Sequence, residues 1–494
     1  MISDHLPILL VIVPLMAAPL TVAVHRGPAA WSLALVTSWA TVGIAVALLL
    51  AVLDGGTISY RIGDWATTWG IEYRVDLVSA FVALIVATIG AIAMPYARRS
   101  VEAEVPRDRI YLFYTMYLLC VAGLLGMTVT GDVFNLFVFL EISSLSSYVL
   151  ISLGRDRRAL TASFRYLVMG TIGATFYIIG VGMMYMMTGT LNMVDLATLL
   201  PTVADTRTIV MAMAFLTVGI SLKLALFPLH MWLPNAYTYA PSAVTVLLAS
   251  TATKVAAYVL IRIFFTVFSQ VDALTTYAFV RDALLVMALL AMFSASAVAI
   301  FQGNVKRMLA YSSLAQIGYI VLGIAIANQA GLTAGIIHLF NHALIKGALF
   351  MAVGAIVLRV GSSHLSAFAG MGRQMPFTMA AFVAGGLGLI GVPLTAGFIS
   401  KWYLIQASLQ SDMWGLAVLI LLSSLLAVIY VWRVVEVAYF RPAPKDAPVV
   451  TEAPLSMLIP MWTLVAASIY FGIDATFTLD IAGGAAEILL RSAP

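Results

Sequence analysis

Long apolar runs recur along the whole chain and constrain its fold more than any other feature. Each run has about 18 or more residues, enough to cross a hydrocarbon core about 30 Å thick as a helix. Of the 494 residues, 62% are hydrophobic and 10% are charged, whereas roughly a quarter of an ordinary soluble domain is charged. The sequence therefore predicts an all-α polytopic membrane protein whose solvent is the lipid bilayer.

About fourteen transmembrane spans fit this pattern. We place them near 6–24, 29–53, 75–97, 110–129, 132–153, 162–187, 207–240, 242–268, 280–301, 308–327, 331–359, 377–410, 412–440 and 455–474. The first run has no lysine or arginine before it and no small-residue cleavage site after it. We therefore interpret it as a retained span and not as a signal peptide.

The loops between these spans carry very different numbers of basic residues on the two sides of the membrane. Fifteen lie on one side, namely Arg26, Arg98, Arg99, Arg107, Arg109, Arg155, Arg157, Arg158, Arg165, Lys306, Arg307, Arg359, Arg373, Arg441 and Lys445. Five lie on the other side, namely Arg61, Arg74, Arg207, Arg281 and Arg491. The positive-inside rule assigns the richer side to the cytoplasm. We therefore predict that both termini face away from the cytoplasm of a bacterial or archaeal cell, and the net charge of +4 needs no nucleic-acid partner.

Two unusually long spans are interrupted by proline, at Pro228 and at Pro393. Proline removes a backbone donor and clashes with the preceding turn, so each span is expected to form two half-helices. Such pairs of broken helices point to transport sites. The breaks are about 165 residues and five spans apart, the spacing expected of an inverted five-helix repeat; two unrelated kinks are the alternative.

This spacing predicts four regions along the chain. They are the first three spans (1–105), a first five-helix repeat of spans 4–8 (106–270), an inverted second repeat of spans 9–13 (271–441), and a fourteenth helix with a tail (442–494).

Five ionisable side chains are predicted to lie at depth in the membrane. They are Glu141, Lys223, Lys254, Lys346 and Lys401. A charge at the bilayer centre costs at least about 2.5–3.5 kcal/mol, so five charges without a function would be a severe burden. Arg262 and Arg433 fall toward span ends, where their side chains are expected to snorkel to the surface.

We expect Glu141 to pair with Lys223 and to modulate its proton affinity. Burial disfavours a charged lysine and a nearby carboxylate favours it, so a lysine that gains or loses such a partner is a switchable proton site. A purely structural ion pair is the alternative. That alternative would leave three positive charges unexplained.

A second group lies in the eleventh span, where His338, His342 and Lys346 are spaced four residues apart. This spacing puts them on one helical face, about 12 Å from end to end. An imidazole can accept a proton on one nitrogen and release one from the other, so the row suits a proton relay. Core histidines bonded to backbone carbonyls and a zinc pair are the alternatives, and zinc is disfavoured because no third ligand is evident.

Other polar positions have less specific interpretations. Ser312 and Gln316 in the tenth span either hold water beside the histidine row or join helices. His230, just after the first break, either connects a cavity to the cytoplasm or has an interfacial role. We predict no cofactor and no metal, and we expect the single cysteine, Cys120, to be a small core residue.

One motif is misleading. Residues 386–391 match G-x-G-x-x-G, but they lie inside an apolar span with no strand before them. The motif therefore predicts close helix packing and not a dinucleotide site.

Taken together, these residues resemble a known family. The segments that carry the resemblance are Glu141 in the fifth span, Lys223 with Phe227-Pro228-Leu229-His230, Thr253-Lys254-Val255, the stretch from Asn304 to Tyr319, the row from His338 to Lys346, and Gly391 to Lys401. Over roughly residues 75–440 the chain is similar to the antiporter-like subunits of respiratory complex I, membrane-bound hydrogenases and Mrp-type cation/proton antiporters. The resemblance implies that Glu141, Lys223, Lys254 and Lys401 form a proton path, in an order that spacing alone does not give.

Within that family, the segment from Thr130 to Glu141 is most similar to D-type subunits of Mrp antiporters. Arg165 stands where many relatives have lysine, and Lys401 follows Gly-Phe-Ile-Ser where Gly-Phe-Ile-Gly is commoner. Both positions keep a titratable group, so these departures affect only fine tuning.

Two functions are consistent with these features. The first is a proton-conducting subunit of a multisubunit antiporter that exchanges protons for Na+ or another monovalent cation. The second is an M- or N-type proton-pumping subunit of a quinone- or hydrogen-linked oxidoreductase. Both require other membrane subunits as partners, and a structural scaffold is disfavoured by the five charges at depth.

Overall fold

The computed structural model describes residues 3–67, 69–271, 273–443 and 449–491. Lys445, one of the basic loop residues, lies outside them. The first half of the chain forms α1 (Leu6–Val24), α2 (Gly27–Gly55), α3 (Leu77–Glu104), α4 (Ile110–Val129), α5 (Val133–Ser152), α6 (Arg158–Thr188), α7 (Met193–Leu199), α8 (Arg207–Leu224), α9 (Leu233–Tyr239), α10 (Ser242–Ser250) and α11 (Ala252–Arg262). The second half forms α12 (Ala273–Thr276), α13 (Ala278–Ile300), α14 (Val305–Ile326), α15 (Gln329–Val360), α16 (Met371–Gln374), α17 (Pro376–Ile390), α18 (Ala396–Gln410), α19 (Trp414–Phe440), α20 (Leu455–Ile473) and α21 (Thr476–Arg491). Between α2 and α3 lies an antiparallel hairpin of β1 (Ile58–Arg61) and β2 (Glu72–Val75), in which Ser59 pairs with Arg74.

Within the described ranges, thirteen helical segments are long and apolar enough to cross a bilayer. One of them, Ser242–Val267, comprises α10, α11 and a short π-helical turn. The two halves of the predicted span 377–410 are α17 and α18, each of 15 residues, and together they make a fourteenth span. The predicted all-α polytopic membrane fold is confirmed.

Both predicted breaks are present. At the first break α8 ends at Leu224, Ala225 follows in a left-handed conformation, and α9 begins at Leu233 after eight intervening residues. At the second break α17 ends at Ile390, and Gly391 follows with φ +88°. Glycine adopts this left-handed helix end without steric cost. Pro228 and Pro393 lie inside the two interruptions.

A third break, which the sequence did not predict, separates α10 from α11 at Thr251. Neither proline nor glycine lies there. The Thr251 hydroxyl instead donates to the carbonyl oxygen of Leu247 at 2.6 Å, a bond back to the preceding turn that competes with regular helix geometry. The span that carries Lys254 is therefore also interrupted.

The centre of the bundle is α15. It packs against α3, α10, α14, α17, α18, α20 and α21. Almost every residue from Gly331 to Ile356 is buried. Its polar side chains therefore face other helices, and the predicted tail after the last span, which forms α21, helps to enclose it.

Candidate functional site

The predicted contact between Glu141 on α5 and Lys223 in the last turn of α8 is present. Lys223 Nζ lies 3.1 Å from Glu141 Oε1 and donates to Ser144 Oγ at 2.9 Å. The lysine is buried, while the glutamate side chain is 23% exposed. Ser144 belongs to a serine-rich turn of α5, and its contact with the ammonium group was not predicted.

Glu141 lies on the outward-facing side of α5. Large apolar side chains on the same face are exposed, namely Phe134, Val138, Leu145 and Val149, and residues three or four apart share a helical face. The carboxylate is therefore at the edge of the molecule, with one oxygen directed inward to Lys223.

A cavity of about 30 Å³ continues from Lys223 toward the third break. Its lining includes Ser143, Ser144, Ser147, Tyr166, Lys223, Ala252 and Ala256. Hydroxyls and one ammonium group supply the two to four polar partners that a buried water needs, and the volume is that of about one water. The cavity connects α5 and α8 with α11, the helix that carries Lys254.

Lys254 is fully buried at the start of α11. Its Nζ donates to the carbonyl oxygen of Ala249 in α10 and lies 3.4 Å from Thr253 Oγ1. The last carbonyls of a helix have no partner within the helix, so the break gives this amine an acceptor. Among the described residues no carboxylate lies within ion-pair distance of it.

Lys346 on α15 is the next amine, and it is also fully buried. Its Nζ donates to the carbonyl oxygen of Leu309 at 2.9 Å and to Ser312 Oγ. The adjacent Gly347 packs against α10, because a Cβ atom at that position would lie 3.2 Å from Ser250 Oγ. The turn of α15 that carries Lys346 therefore lies beside the break that provides an acceptor for Lys254.

The histidine row has the predicted geometry. The rings of His338 and His342 are 5.9 Å apart and nearly parallel. His338 Nε2 lies 3.0 Å from Gln316 Oε1, and its Nδ1 lies 2.7 Å from Ser400 Oγ. His342 is buried, and neither of its ring nitrogens has a hydrogen-bond partner in the described part of the chain. No group of three metal-ligating side chains occurs among the described residues.

Lys401 on α18 is the last member of the set that begins with the Glu141–Lys223 pair, which is called the buried row below. Its Nζ donates to the carbonyl oxygens of Leu389 at 3.1 Å and Ile390 at 2.8 Å. The ammonium group also lies 4.8 Å from the ring centroid of Tyr319, and that ring is 5.7 Å from His338. Tyr319 therefore lies between Lys401 and His338, a ring contact that the sequence did not predict.

The two remaining candidates lie outside the row. His230 stacks on Phe227, and its ring centroid is 6.4 Å from that of Tyr311. Arg165 is exposed on a pocket that Tyr311 also lines. Roles for His230 in access and for Arg165 in tuning stay predictions.

The expectation that Arg262 snorkels to the surface is wrong. Arg262 is 5% exposed, and its guanidinium group forms a buried ion pair with Asp76, the N-cap residue of α3. Its Nε also donates to Tyr258 Oη at 2.8 Å. Burial raises the pKa of the Asp76 carboxyl, but the guanidinium beside it outweighs that effect and holds the pKa below its usual value. Asp76, directly before α3, thus keeps the Arg262 side chain inside the bundle.

This arrangement is suited to moving single protons. Amines and imidazoles each have a protonated and a neutral form. The cavity beside Lys223 reaches α11, Gly347 next to Lys346 packs on Ser250 of α10, and Tyr319 lies beside both Lys401 and His338. A carboxylate neutralises Lys223, whereas Lys254, Lys346 and Lys401 have carbonyl, hydroxyl or aromatic partners. Because like charges repel strongly where the dielectric is low, a proton on one of these groups disfavours a proton on the next.

Comparison with known proteins gives consistent matches. A family model described as NADH:quinone oxidoreductase/Mrp antiporter, TM, matches residues 130–427. The chain is 42% identical over 482 residues to NADH-quinone oxidoreductase subunit N of Desulforudis audaxviator, covering 94% of each protein. It is 31% identical over 444 residues to the D subunit of the Na(+)/H(+) antiporter of Alkalihalophilus pseudofirmus, covering 89% of this chain and 88% of the relative. A chain in the structure of the Mrp complex from Dietzia sp. matches with a TM-score of 0.91 at 26% identity, covering 99% of this chain and 98% of that chain.

Proposed function

This chain belongs to the NADH:quinone oxidoreductase/Mrp antiporter family of transmembrane proteins, and on that premise we propose that it is a proton-conducting subunit of a multisubunit membrane complex. The observation that supports the proposal is the Glu141–Lys223 ion pair together with further titratable side chains buried on packed helices, namely Lys254, Lys346, His342, His338 and Lys401. Neutral and protonated forms can alternate on these groups, because the four lysines and His338 each have a hydrogen-bond partner and His342 stacks on His338.

The Glu141–Lys223 pair acts as the switch. While the carboxylate holds the ammonium group, the proton stays on Lys223; when the two separate, burial without a counter-charge lowers the proton affinity of the lysine. The proton then passes through the cavity toward Lys254 and on to Lys346. From there His342 and His338 relay it to Lys401.

The partner machinery is the finer part of the proposal. We propose that the complex is a monovalent cation/proton antiporter, with Na+ as the exchanged ion and this chain in the D-type position. Similarity to the D subunit of an antiporter and to a chain of an Mrp complex supports this. A redox-driven pump in which the chain is an N-type subunit is the second candidate, and the 42% identity to a subunit N favours it.

The position of Glu141 supports a partner subunit. A carboxylate on an exposed apolar helix face is costly against lipid, so we propose that a neighbouring membrane subunit covers this side of α5. We also propose that both termini face away from the cytoplasm, and that regions 106–270 and 271–441 are inverted repeats.

The test is proton flux in vesicles that contain the purified complex. Glu141→Gln removes the switch charge and keeps the side-chain shape, so we expect flux to fall at least about tenfold with assembly intact. Glu436→Gln, at an exposed carboxylate paired with Arg441, is the control and should match the wild type. Wild-type flux in Glu141→Gln contradicts the proposal.

The same vesicles separate the two kinds of complex. Proton movement driven by a Na+ gradient without an electron donor supports the antiporter. Strict dependence on NADH, quinone or hydrogen supports the redox pump and overturns the antiporter assignment.

A further inference from the structure

A pocket of about 370 Å³ lies between the first turns of α6, the residues around the start of α9, and the first turns of α14. Its lining combines two arginines with apolar side chains. They are Arg165 and Arg307, with Phe164, Val168, Trp232 and Tyr311 among the apolar and aromatic side chains. It is separate from the buried row described above.

Neither arginine has a carboxylate partner in the part of the chain that the structure describes. Arg165 and Arg307 form no ion pair with any described residue, and no acidic side chain lines the pocket. The Nε of Arg307 is buried and has no hydrogen-bond partner in the described part of the chain. Two guanidinium groups without counter-charge at one site favour an anionic ligand.

An apolar track leads away from these arginines along the outer face of α6. Phe164 is 63% exposed, and Val168 and Ile172 are each 41% exposed. They are spaced four residues apart, so they form one stripe that runs from the arginines toward the middle of the bilayer. A small anion would make no contact with these apolar side chains, whereas the acyl chain of a lipid would pack on them.

We propose that this pocket binds an anionic glycerophospholipid, with its phosphodiester at Arg165 and Arg307 and one acyl chain on the stripe of Phe164, Val168 and Ile172. Basic pockets between transmembrane helices on the cytoplasmic side bind the headgroups of anionic lipids, and arginine offers the planar fork that fits phosphate oxygens. Both arginines belong to the side of the membrane that is rich in basic residues.

One pair of stacked aromatic rings separates the back of the pocket from the cavity beside Lys223. Trp232 stacks on Tyr166 with ring centroids 3.8 Å apart, and its Nε1 donates to the carbonyl oxygen of Leu222 at 2.9 Å. Leu222 precedes Lys223, and Tyr166 also lines the cavity beside that lysine. A lipid in the pocket therefore packs on the stack that holds the first helix break in place.

The experiment is native mass spectrometry of the complex, exchanged into phosphatidylcholine and then titrated with phosphatidylglycerol. We expect the wild type to retain phosphatidylglycerol through gentle activation, and the double variant Arg165→Gln with Arg307→Gln to retain at least about tenfold less. The matched control is Arg157→Gln with Arg373→Gln. It removes the same charge from two exposed arginines outside the pocket and should behave like the wild type.

Several outcomes overturn the proposal. Equal retention by both double variants assigns the lipid to another site, and equal retention of phosphatidylcholine removes the charge argument. Competition by inorganic phosphate identifies a free-anion site, and a partner subunit cross-linked at Phe164 in the intact complex identifies a protein interface. Because lipid retention is measured without transport, failure of this inference leaves the proton-path proposal untouched.

Discussion

Lys401 Nζ lies 2.8 Å from the carbonyl oxygen of Ile390, so the lysine of one half-helix caps the end of the other half-helix. Ile390 is the last residue of α17, whose final carbonyls have no partner within the helix and form the negative end of its dipole. This backbone end stabilises positive charge on Lys401, which forms no ion pair with a carboxylate among the described residues. The same lysine therefore serves the fold and, in our proposal, the proton path.

Substitution of Lys401 separates the two roles. Lys401→Arg keeps a permanent positive charge at the helix end but cannot release a proton at physiological pH. We expect its thermal stability to stay near that of the wild type and its proton flux to fall at least about tenfold. Lys401→Met should lower both the thermal stability and the proton flux. The first is measured as the melting temperature of the complex and the second in vesicles. An arginine variant with wild-type flux would leave Lys401 only its capping role.

The buried Arg262–Asp76 ion pair joins α11 to the start of α3. Loss of one partner of a buried pair leaves the other charge without compensation, at a cost of about 3–5 kcal/mol. Arg262→Met is therefore expected to lower the melting temperature markedly. Arg262→Met combined with Asp76→Asn should recover part of the loss, and a double variant as unstable as the sum of the single variants would contradict this.

The same pair predicts that thermal stability depends on pH. The folded-state pKa of Asp76 lies below its usual value, so its contribution to stability is present above that usual value and is lost as the pH falls through the lowered pKa. The difference in melting temperature between the wild type and Arg262→Met should therefore narrow in acid. A constant difference from neutral to strongly acid pH would argue against the pair as its source.

Glu452 anchors the start of α17 from the segment before α20. Its carboxylate accepts from the backbone N–H of Phe377 at 2.8 Å and from Thr378 Oγ1 at 2.5 Å. A carboxylate at a helix N-terminus satisfies orphan donors and complements the dipole, for about 1–2 kcal/mol. Glu452→Ala should lower the melting temperature, and Glu452→Gln should lower it less because it keeps an acceptor. Glu436→Ala, at an exposed carboxylate, is the control that should not change it.

Features set by local chemistry could be predicted from the sequence. Proline cannot donate a helix hydrogen bond, so the breaks near Pro228 and Pro393 follow from covalent structure. The spacing of His338, His342 and Lys346 fixes a shared helix face because an α-helix has 3.6 residues per turn. By contrast, the break at Thr251 depends on a hydroxyl that donates to a carbonyl oxygen of the preceding turn. Threonine forms this bond in only some structural contexts, so the break does not follow from residue type.

Features set by neighbouring helices could not be predicted. Arg262 is held inside by Asp76, which lies 186 residues earlier in the chain. Lys306, counted as a loop residue, is buried with its Nζ 3.8 Å from Glu104. Tyr319 acquires a role because α14 brings its ring between Lys401 and His338. Each of these depends on how helices rotate and pack, which hydrophobic periodicity does not specify.

The most direct test of the proton row is the flux of His342→Leu. Neither ring nitrogen of His342 has a hydrogen-bond partner among the described residues, so removing a buried, unpartnered polar group should leave stability unchanged or higher. A histidine that only fills space would then tolerate the change. We predict that the melting temperature is kept while proton flux through the complex falls at least about tenfold. Wild-type flux in a stable His342→Leu complex would contradict a relay through this row.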